Sequence, residues 1–239
     1  MAIIVLKRLS KLFNRTPKNS ENTLLEKIQE QTLHTRNICP KAFQVVSILK
    51  EHNFQAFLVG GCIRDLLLDK NPKDFDVATN AKPHEIKALF KRSRIVGRRF
   101  QIVHVPFGRD IIEVTTFRSN STDKKQSPQA KRHLQQSPSG LLTRDNVFGS
   151  IKEDAQRRDL TINALYYDPI DKRLDDFCQG LQDLNDRKIR IIGDPAQRYR
   201  EDPVRLLRVV RFSAKLDFEI ESETRKSIAK MASNLSHIS

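Results

Sequence analysis

The stretch "VGGCIRDLLLDKNPKDFDVAT", residues 59–79, constrains this chain more than any other. The apolar run "AFLV" ends in two glycines, "CIRDLLLDK" follows with a helical pattern, and "KDFDVAT" then alternates polar and apolar side chains. That order reads as strand, tight turn, helix, strand. Glycines after a strand let the backbone turn sharply and approach a ligand, and the first N–H groups of the next helix suit a phosphate. A glycine pair by itself is weak evidence. The alternation adds more, because it sets Asp74 and Asp76 on one face of a strand and Phe75 and Val77 on the other. Two carboxylates on one face repel and raise each other's pKa unless a cation lies between them. The pattern therefore predicts a metal. Surface carboxylates balancing Lys70 and Lys73 are the plainer alternative, but they leave the apolar face and the glycine turn without a purpose.

Upstream, "KAFQVVSILKEHN" carries Phe43, Val46 and Leu49 on a helical stripe that Asn53 ends. Downstream, Pro83 opens a helix with Ile86, Leu89 and Phe90 at helical spacing, and "RRFQIVHVPFGRDIIEVTTFR" reads as a hairpin turning at Gly108-Arg109-Asp110. In its second strand Glu113 alternates with Ile112 and Val114 and can present a third carboxylate from a neighbouring strand. Asp74, Asp76 and Glu113 together suit two Mg²⁺ ions about 3.5–4 Å apart, one activating an attacking hydroxyl and one clamping a triphosphate. This is nucleotidyl-transfer chemistry. The P-loop pattern GxxxxGK[ST] and the kinase HRD do not occur.

Two basic clusters follow. "DAQRRDLTIN" gathers Asp154, Arg157, Arg158, Asp159 and Asn163 within ten residues. Planar guanidinium groups donate in pairs to phosphate oxygens, while Asp159 and Asn163 can hold sugar hydroxyls or orient the arginines; an ion-paired helix end is the structural alternative. In "REDPVRLLRVVRF", Pro203 fits a first helical turn with Asp202 at its N-cap. Arg205, Arg208 and Arg211 then fall near one face, opposite Leu206, Val209 and Val210. A carboxylate beside an arginine matches the edge of adenine: Asp202 can accept from the amino group and Arg205 can donate to the ring nitrogen. A solvated basic stripe is the bland reading.

The balance of 43 Lys and Arg against 29 Asp and Glu gives a net charge of +14, which favours a polyanionic partner. Three widely spaced cysteines, Cys39, Cys62 and Cys178, without a zinc spacing, point to a reducing compartment. No window approaches the roughly eighteen apolar residues of a spanning helix. The basic, partly apolar start "MAIIVLKRLSKLFNR" is expected to be a loosely held tail rather than a membrane-surface helix or targeting segment. The Ser-, Gln- and Lys-rich residues 119–146 predict a mobile surface loop. After "KIRIIGDP" the pattern is helical to the end. The expected organisation is a tail over 1–40, an α/β domain over 41–192 and an all-helical segment over 193–239.

The segments "LVGGCIRD", "DFDVAT", "RRDLTINAL" and "EDPVRLLRVVRF", in this order, closely resemble the head and neck of the bacterial poly(A) polymerase and tRNA CCA-adding enzyme family, within the nucleotidyltransferase superfamily. The resemblance spans about residues 41–239. It implies an α/β nucleotidyltransferase head, a small mixed sheet with flanking helices, followed by a helical neck that reads the incoming base. It further implies that Asp74 and Asp76 bind the two Mg²⁺ ions with Glu113 as third carboxylate, and that Gly60, Gly61 and Arg64 line the triphosphate. Asp159 falls on an active-site position, with Asp154, Arg157, Arg158 and Asn163 around phosphate and ribose. Asp202 and Arg205 match the base-selecting pair, with Arg208 beside them. The strand "IVGRRFQIVHVPFG" looks like the poly(A) polymerase branch, since CCA-adding members tend to carry a Gly-Thr-containing strand there. The implied activity is template-independent transfer of AMP from ATP to RNA 3′ ends in the cytoplasm, with no DNA partner and no stable membrane insertion. CCA addition to tRNA, or a shortened non-catalytic RNA- or nucleotide-binding remnant, are the alternatives. Family members continue into a further helical body, so the chain is expected to stop inside the neck.

Overall fold

A computed structural model describes residues 37–97, 100–119, 134–136, 142–145 and 147–237; the expected N-terminal tail lies outside them as far as residue 36. Helix α1 (Pro40–Glu51) leads into β1 (Ala56–Val59), α2 (Gly61–Leu67) connects β1 to β2 (Asp76–Thr79), and α3 (Pro83–Leu89) leads to β3 (Arg94–Val96), β4 (Ile102–Phe107) and β5 (Asp110–Thr116). A small hairpin, β6 (Leu134–Gln136) and β7 (Leu142–Asp145), precedes α4 (Ile151–Arg157), β8 (Leu165–Asp168), β9 (Arg173–Asp176) and α5 (Gly180–Asn185). The opening motif thus folds as strand, glycine turn, helix, strand, and the β4–β5 hairpin turns where Gly108 interrupts the alternation. Within residues 119–146, where a mobile surface loop is expected, the described strands β6 and β7 pair antiparallel.

Seven strands form one sheet in the order β3-β4-β5-β2-β1-β8-β9. Only β2 and β5 run parallel, so the sheet is mixed, as expected. The central strands β1 and β8 are buried along their whole length, as apolar runs covered on both faces should be. On one face α1 packs Ala42, Val45, Val46 and Leu49 against β1, β2 and β5. On the other, Phe57, Val59, Ala78, Phe117, Ala155 and Tyr166 form a cluster closed by α4, with Tyr166 edge-on to both Phe57 and Phe117 at 6.2 and 6.4 Å between ring centroids. Toward β3 this second face is open. There Val103, Val105, Ile112 and Val114 turn to the core, while His104, Pro106, Ile111 and Glu113 turn away from it.

The sequence after β10 (Lys188–Ile189) folds into α6 (Pro195–Glu201), α7 (Val204–Leu216), β11 (Glu219–Ile220) and α8 (Ser222–Met231). It is helical with one exception. Strand β11 pairs parallel with β10, a two-residue ladder too short to leave a period in the sequence. On α7, Leu206 and Val209 are buried, but Val210 is 47% exposed and Leu207 50%, so the expected apolar face is narrower than its sequence pattern.

Candidate active site

Gly60 adopts φ 84°, ψ −138°, a conformation that only glycine takes without strain. It is also a point of convergence. A Cβ placed on it would lie 3.6 Å from Asp76 Oδ2 and 3.8 Å from Arg158 Nη1, so the missing side chain leaves an open space between a carboxylate and a guanidinium.

Asp76 opens β2, and the parallel register sets it directly opposite Glu113 on β5. Cross-strand partners share a face, which brings the two carboxylates together as the sequence predicts. Burial, then the charge of Glu113, push the Asp76 carboxyl up to about 6; Arg158 offsets part of this and Asp74 adds to it. Asp74, however, precedes the strand instead of lying on it, and is exposed. The reason is local: β1 turns away at Gly60, so no backbone is left opposite Asp74 for it to pair with. Among the described residues no three His, Cys, Asp or Glu side chains gather closely enough to form a metal cage by themselves. The three carboxylates are neighbours, not a preformed ring.

Across the glycine turn, the arginines are tied into the fold. Arg158 donates from Nε to the Tyr166 hydroxyl (2.8 Å) and from Nη2 to Asp154 (3.3 Å), and Tyr166 donates to Asp154 at 2.6 Å. Asp154 also accepts the Arg118 backbone N–H. It is a buried anchor that aims Arg158, and its oxygens are engaged within the protein. Arg64 is buried, donating to Asp65 (2.7 and 2.8 Å) and to Asn163 Oδ1 (2.6 Å), with its guanidinium 4.9 Å from the Phe212 ring centroid. Asn163 sits on the short 3₁₀ turn Thr161–Asn163. That turn is fixed by Gly180, where a Cβ would fall 2.3 Å from the Thr161 carbonyl oxygen, and by the Thr161 hydroxyl donating to Asp183. Gly61 lies beside the Arg64 guanidinium.

Helices α6 and α7 bring a second group of like charge. Arg198 donates to Glu201 (2.7 Å) and to the carbonyls of Arg157 and Arg158. Arg205 donates to Glu201 and to the Arg157 carbonyl, each at 3.3 Å. Arg157 itself donates to the Ser119 carbonyl. Burial first, then Arg118, Arg198 and Arg205, push the Arg157 guanidinium down to about 9. An anion arriving among these arginines would relieve that repulsion. Asp159 is paired with Arg208; burial opposes its charge, yet that guanidinium holds its carboxyl below the usual range. Asp202 does not cap α7, because Pro203 occupies the N-cap position and Asp202 ends α6 instead. Pro203 has helical dihedral angles there, and the Asp202 carbonyl accepts the Arg205 N–H at 3.0 Å. In this arrangement Arg205 hydrogen-bonds Glu201, while Asp202 acts on it through its charge.

The structure adds residues that motif reading passed over. Tyr166 and Glu201 are the hinges of the two networks, and Phe212 lies under both Arg64 and Arg208, 4.9 and 5.4 Å from their guanidinium carbons. A buried tyrosine hydroxyl needs a partner, so Tyr166 was detectable as a polar group in an apolar strand. Glu201 stands next to Asp202 in "RED" and differs from it only by position.

With this geometry in view, residues 56–190 match the family model described as the poly A polymerase head domain. The chain is 49% identical to Poly(A) polymerase I of Haemophilus influenzae over 233 residues, 97% of this chain and 50% of that protein. It is 39% identical to the CCA-adding enzyme of Bacillus licheniformis over 199 residues, 83% of this chain and 47% of that protein. Among solved structures, the Bacillus stearothermophilus CCA-adding enzyme in complex with CTP superposes with a TM-score of 0.69 at 33% identity, covering 84% of this chain and 46% of that one. The chain spans about half the length of the curated relatives it matches.

Proposed function

Because the chain belongs to the poly A polymerase head-domain family, we propose that it is a template-independent RNA 3′-adenylyltransferase. The RNA 3′ hydroxyl attacks the α-phosphate of ATP, the new O–P bond forms as the bond to pyrophosphate breaks, and pyrophosphate leaves. One observation carries this reading: the pairing of Asp76 with Glu113 next to the side-chain-free turn at Gly60, where Arg158 points in from the other side. Anion-rich and cation-rich walls meet there within a few ångströms. A triphosphate needs both.

The donor set consists of carboxylate oxygens, the ligands a hard ion such as Mg²⁺ takes, and Mg²⁺ is commonly held by one or two carboxylates with substrate phosphates completing its shell. Asp76, Glu113 and Asp74 fit that pattern, and the raised carboxyl of Asp76 is what a cation would reverse. When bound, two such ions would neutralise charge developing on the phosphates and lower the pKa of the attacking hydroxyl. The chain's own side chains do the rest. Gly60 and Gly61 leave room for the phosphates, Arg158 meets them from the Tyr166–Asp154 anchor, and Arg64 with Asn163 stiffens the wall behind them. Arg157, Arg205 and Arg208 with Asp159 and Asp202 face the ribose and base, where Asp202 and Arg205 select adenine once Arg205 exchanges Glu201 for the base edge. We assign the helices over 193–239 as the neck that carries this reading function, residues 41–192 as the head, and the cytoplasm, which keeps thiols reduced, as the compartment.

CCA addition is the second reading, favoured by the superposition on a CTP-bound CCA-adding enzyme. The higher identity to Poly(A) polymerase I, 49% against 39%, supports adenylyl transfer as the first. The test is incorporation of AMP from α-labelled ATP into RNA with and without Mg²⁺. Mg²⁺-dependent labelling of the RNA 3′ end supports the proposal; ATP and RNA binding with no label transferred would leave only a binding module.

A further inference from the structure

The register extends the row of Asp76 and Glu113 beyond β5. Glu113 pairs with His104 on β4, and His104 pairs with Arg94 on the edge strand β3. All four residues share the open face of the sheet. His104 Nε2 lies 3.5 Å from Glu113 Oε1, so these two side chains meet on that face. Beside it runs a groove of about 460 Å³ lined by Arg92, Arg94, His104, Pro106 and Ile111. Both arginines are exposed and, among the described residues, neither is paired with a carboxylate. Ile111 is 53% exposed and, with Val96 and Pro106, gives the groove an apolar wall beside its two arginines.

We propose that this groove is the track for the 3′-terminal segment of single-stranded RNA, with Arg92 and Arg94 holding its phosphodiesters and Pro106 and Ile111 offering apolar contact to its bases. The choice of ligand rests on the adenylyltransferase reading. The argument is one of sides. In the strand order β3-β4-β5-β2-β1, the Gly60 turn follows β1, while the groove lies on β3 and β4. The two flank the carboxylates from opposite directions. An in-line displacement brings nucleophile and leaving group to the phosphorus from opposite sides, so with the triphosphate at Gly60 the RNA hydroxyl arrives from the β4 side. Strands are spaced about 4.8 Å, which sets Arg94 about 14 Å from Asp76 across three strand intervals. That is where phosphates upstream of the reacting end pass. Free triphosphate offers the same phosphate chemistry, and its affinity must therefore be measured separately.

The experiment uses the 239-residue chain, a fluorescein-labelled single-stranded RNA and anisotropy titrations at several salt concentrations, comparing wild type, Arg92→Ala/Arg94→Ala and Arg173→Ala. Arg173 is an exposed arginine on the far edge strand β9. Removing two phosphate contacts should weaken RNA binding about tenfold at low salt and make the logarithmic salt dependence shallower by about 1.4, with ATP affinity unchanged and Arg173→Ala binding RNA like wild type. Equal RNA affinity in the double variant and wild type overturns the track, as does a loss matched by Arg173→Ala, a loss of ATP affinity in place of RNA affinity, or a wild-type chain that binds no RNA. A wild-type chain that binds RNA through this groove yet transfers no AMP refutes the adenylyltransferase reading and leaves the track standing.

Discussion

On the sheet, Asp76 stands beside Glu113 with Asp74 two residues upstream, and burial and mutual repulsion push its carboxyl up to about 6. On α6 and α7, arginines are crowded too, but Arg198 and Arg205 both donate to Glu201 and to the backbone carbonyl of Arg157, and Arg208 is paired with Asp159. Burial opposes the charge in both regions, but the arginines beside α6 and α7 are tied to acceptors within the fold. A carboxylate of the first kind should therefore matter to chemistry and little to stability. An arginine of the second kind should matter to both, because removing it leaves buried acceptors without donors.

The sharpest break between the two regions is Asp76→Ala. It should reduce AMP incorporation about a thousandfold or more, the several kcal/mol that an ion site contributes to the transition state, while thermal unfolding stays level or moves upward as repulsion is relieved. Incorporation assays and thermal melts on one preparation check both halves. A variant that loses activity only in proportion to lost folded protein would erase the distinction.

Arg198→Ala is the mirror image. It takes a donor from Glu201 and from two carbonyls in a half-dry environment, and should cost about 3 kcal/mol in urea unfolding. An unchanged unfolding midpoint would mean that this network contributes nothing to the fold.

Between these extremes lies Arg205→Ala, since Glu201 keeps Arg198 as a partner when Arg205 is lost. Its main effect should be on base choice, flattening the preference for ATP over GTP and CTP by about 1–3 kcal/mol. Single-nucleotide incorporation rates measure it. Equal falls in all three rates, with the ranking kept, would assign Arg205 to packing.

The smallest expected effect is at Glu221, which begins α8. Burial opposes its charge, yet the N–H groups of Glu223 and Thr224 and the hydroxyls of Thr224 and Ser222 hold its carboxyl at about 2, below the ordinary 4.5. A group depressed on folding adds stability that is complete above its unfolded pKa and disappears as pH falls from about 4.5 toward 2. Glu221→Gln should cost about 1 kcal/mol at neutral pH and show less acid sensitivity than wild type in that window. Parallel acid dependence of the two proteins would remove Glu221 from the account.

What the sequence made legible follows the same division. The strand–glycine–strand motif, the hairpin at Gly108 and the strand faces that carry Asp76 and Glu113 are written in local alternation, where period and turn chemistry leave little freedom. The arginine network is not. Arg198 meets carbonyls 40 and 41 residues upstream, and Arg205 hydrogen-bonds Glu201 on the preceding helix. Such pairings are decided by how α6 and α7 fold back on the end of α4, and no spacing encodes them. Asp74 departs from its expected strand position for a related reason: whether it lies on a strand depends on where β1 ends, a property of the partner and not of "KDFDVAT" itself.

The central claim, adenylyl transfer by this head and helical segment, is tested most directly by nucleotide identity. The chain is given Mg²⁺, one nucleotide at a time, and either an unrelated RNA or a tRNA trimmed of its CCA end, and the products are resolved on a gel. The account predicts successive A additions to the unrelated RNA with ATP alone and almost no extension of the trimmed tRNA with CTP alone. Efficient addition of two C residues to the trimmed tRNA, followed by a single A and termination, would contradict it.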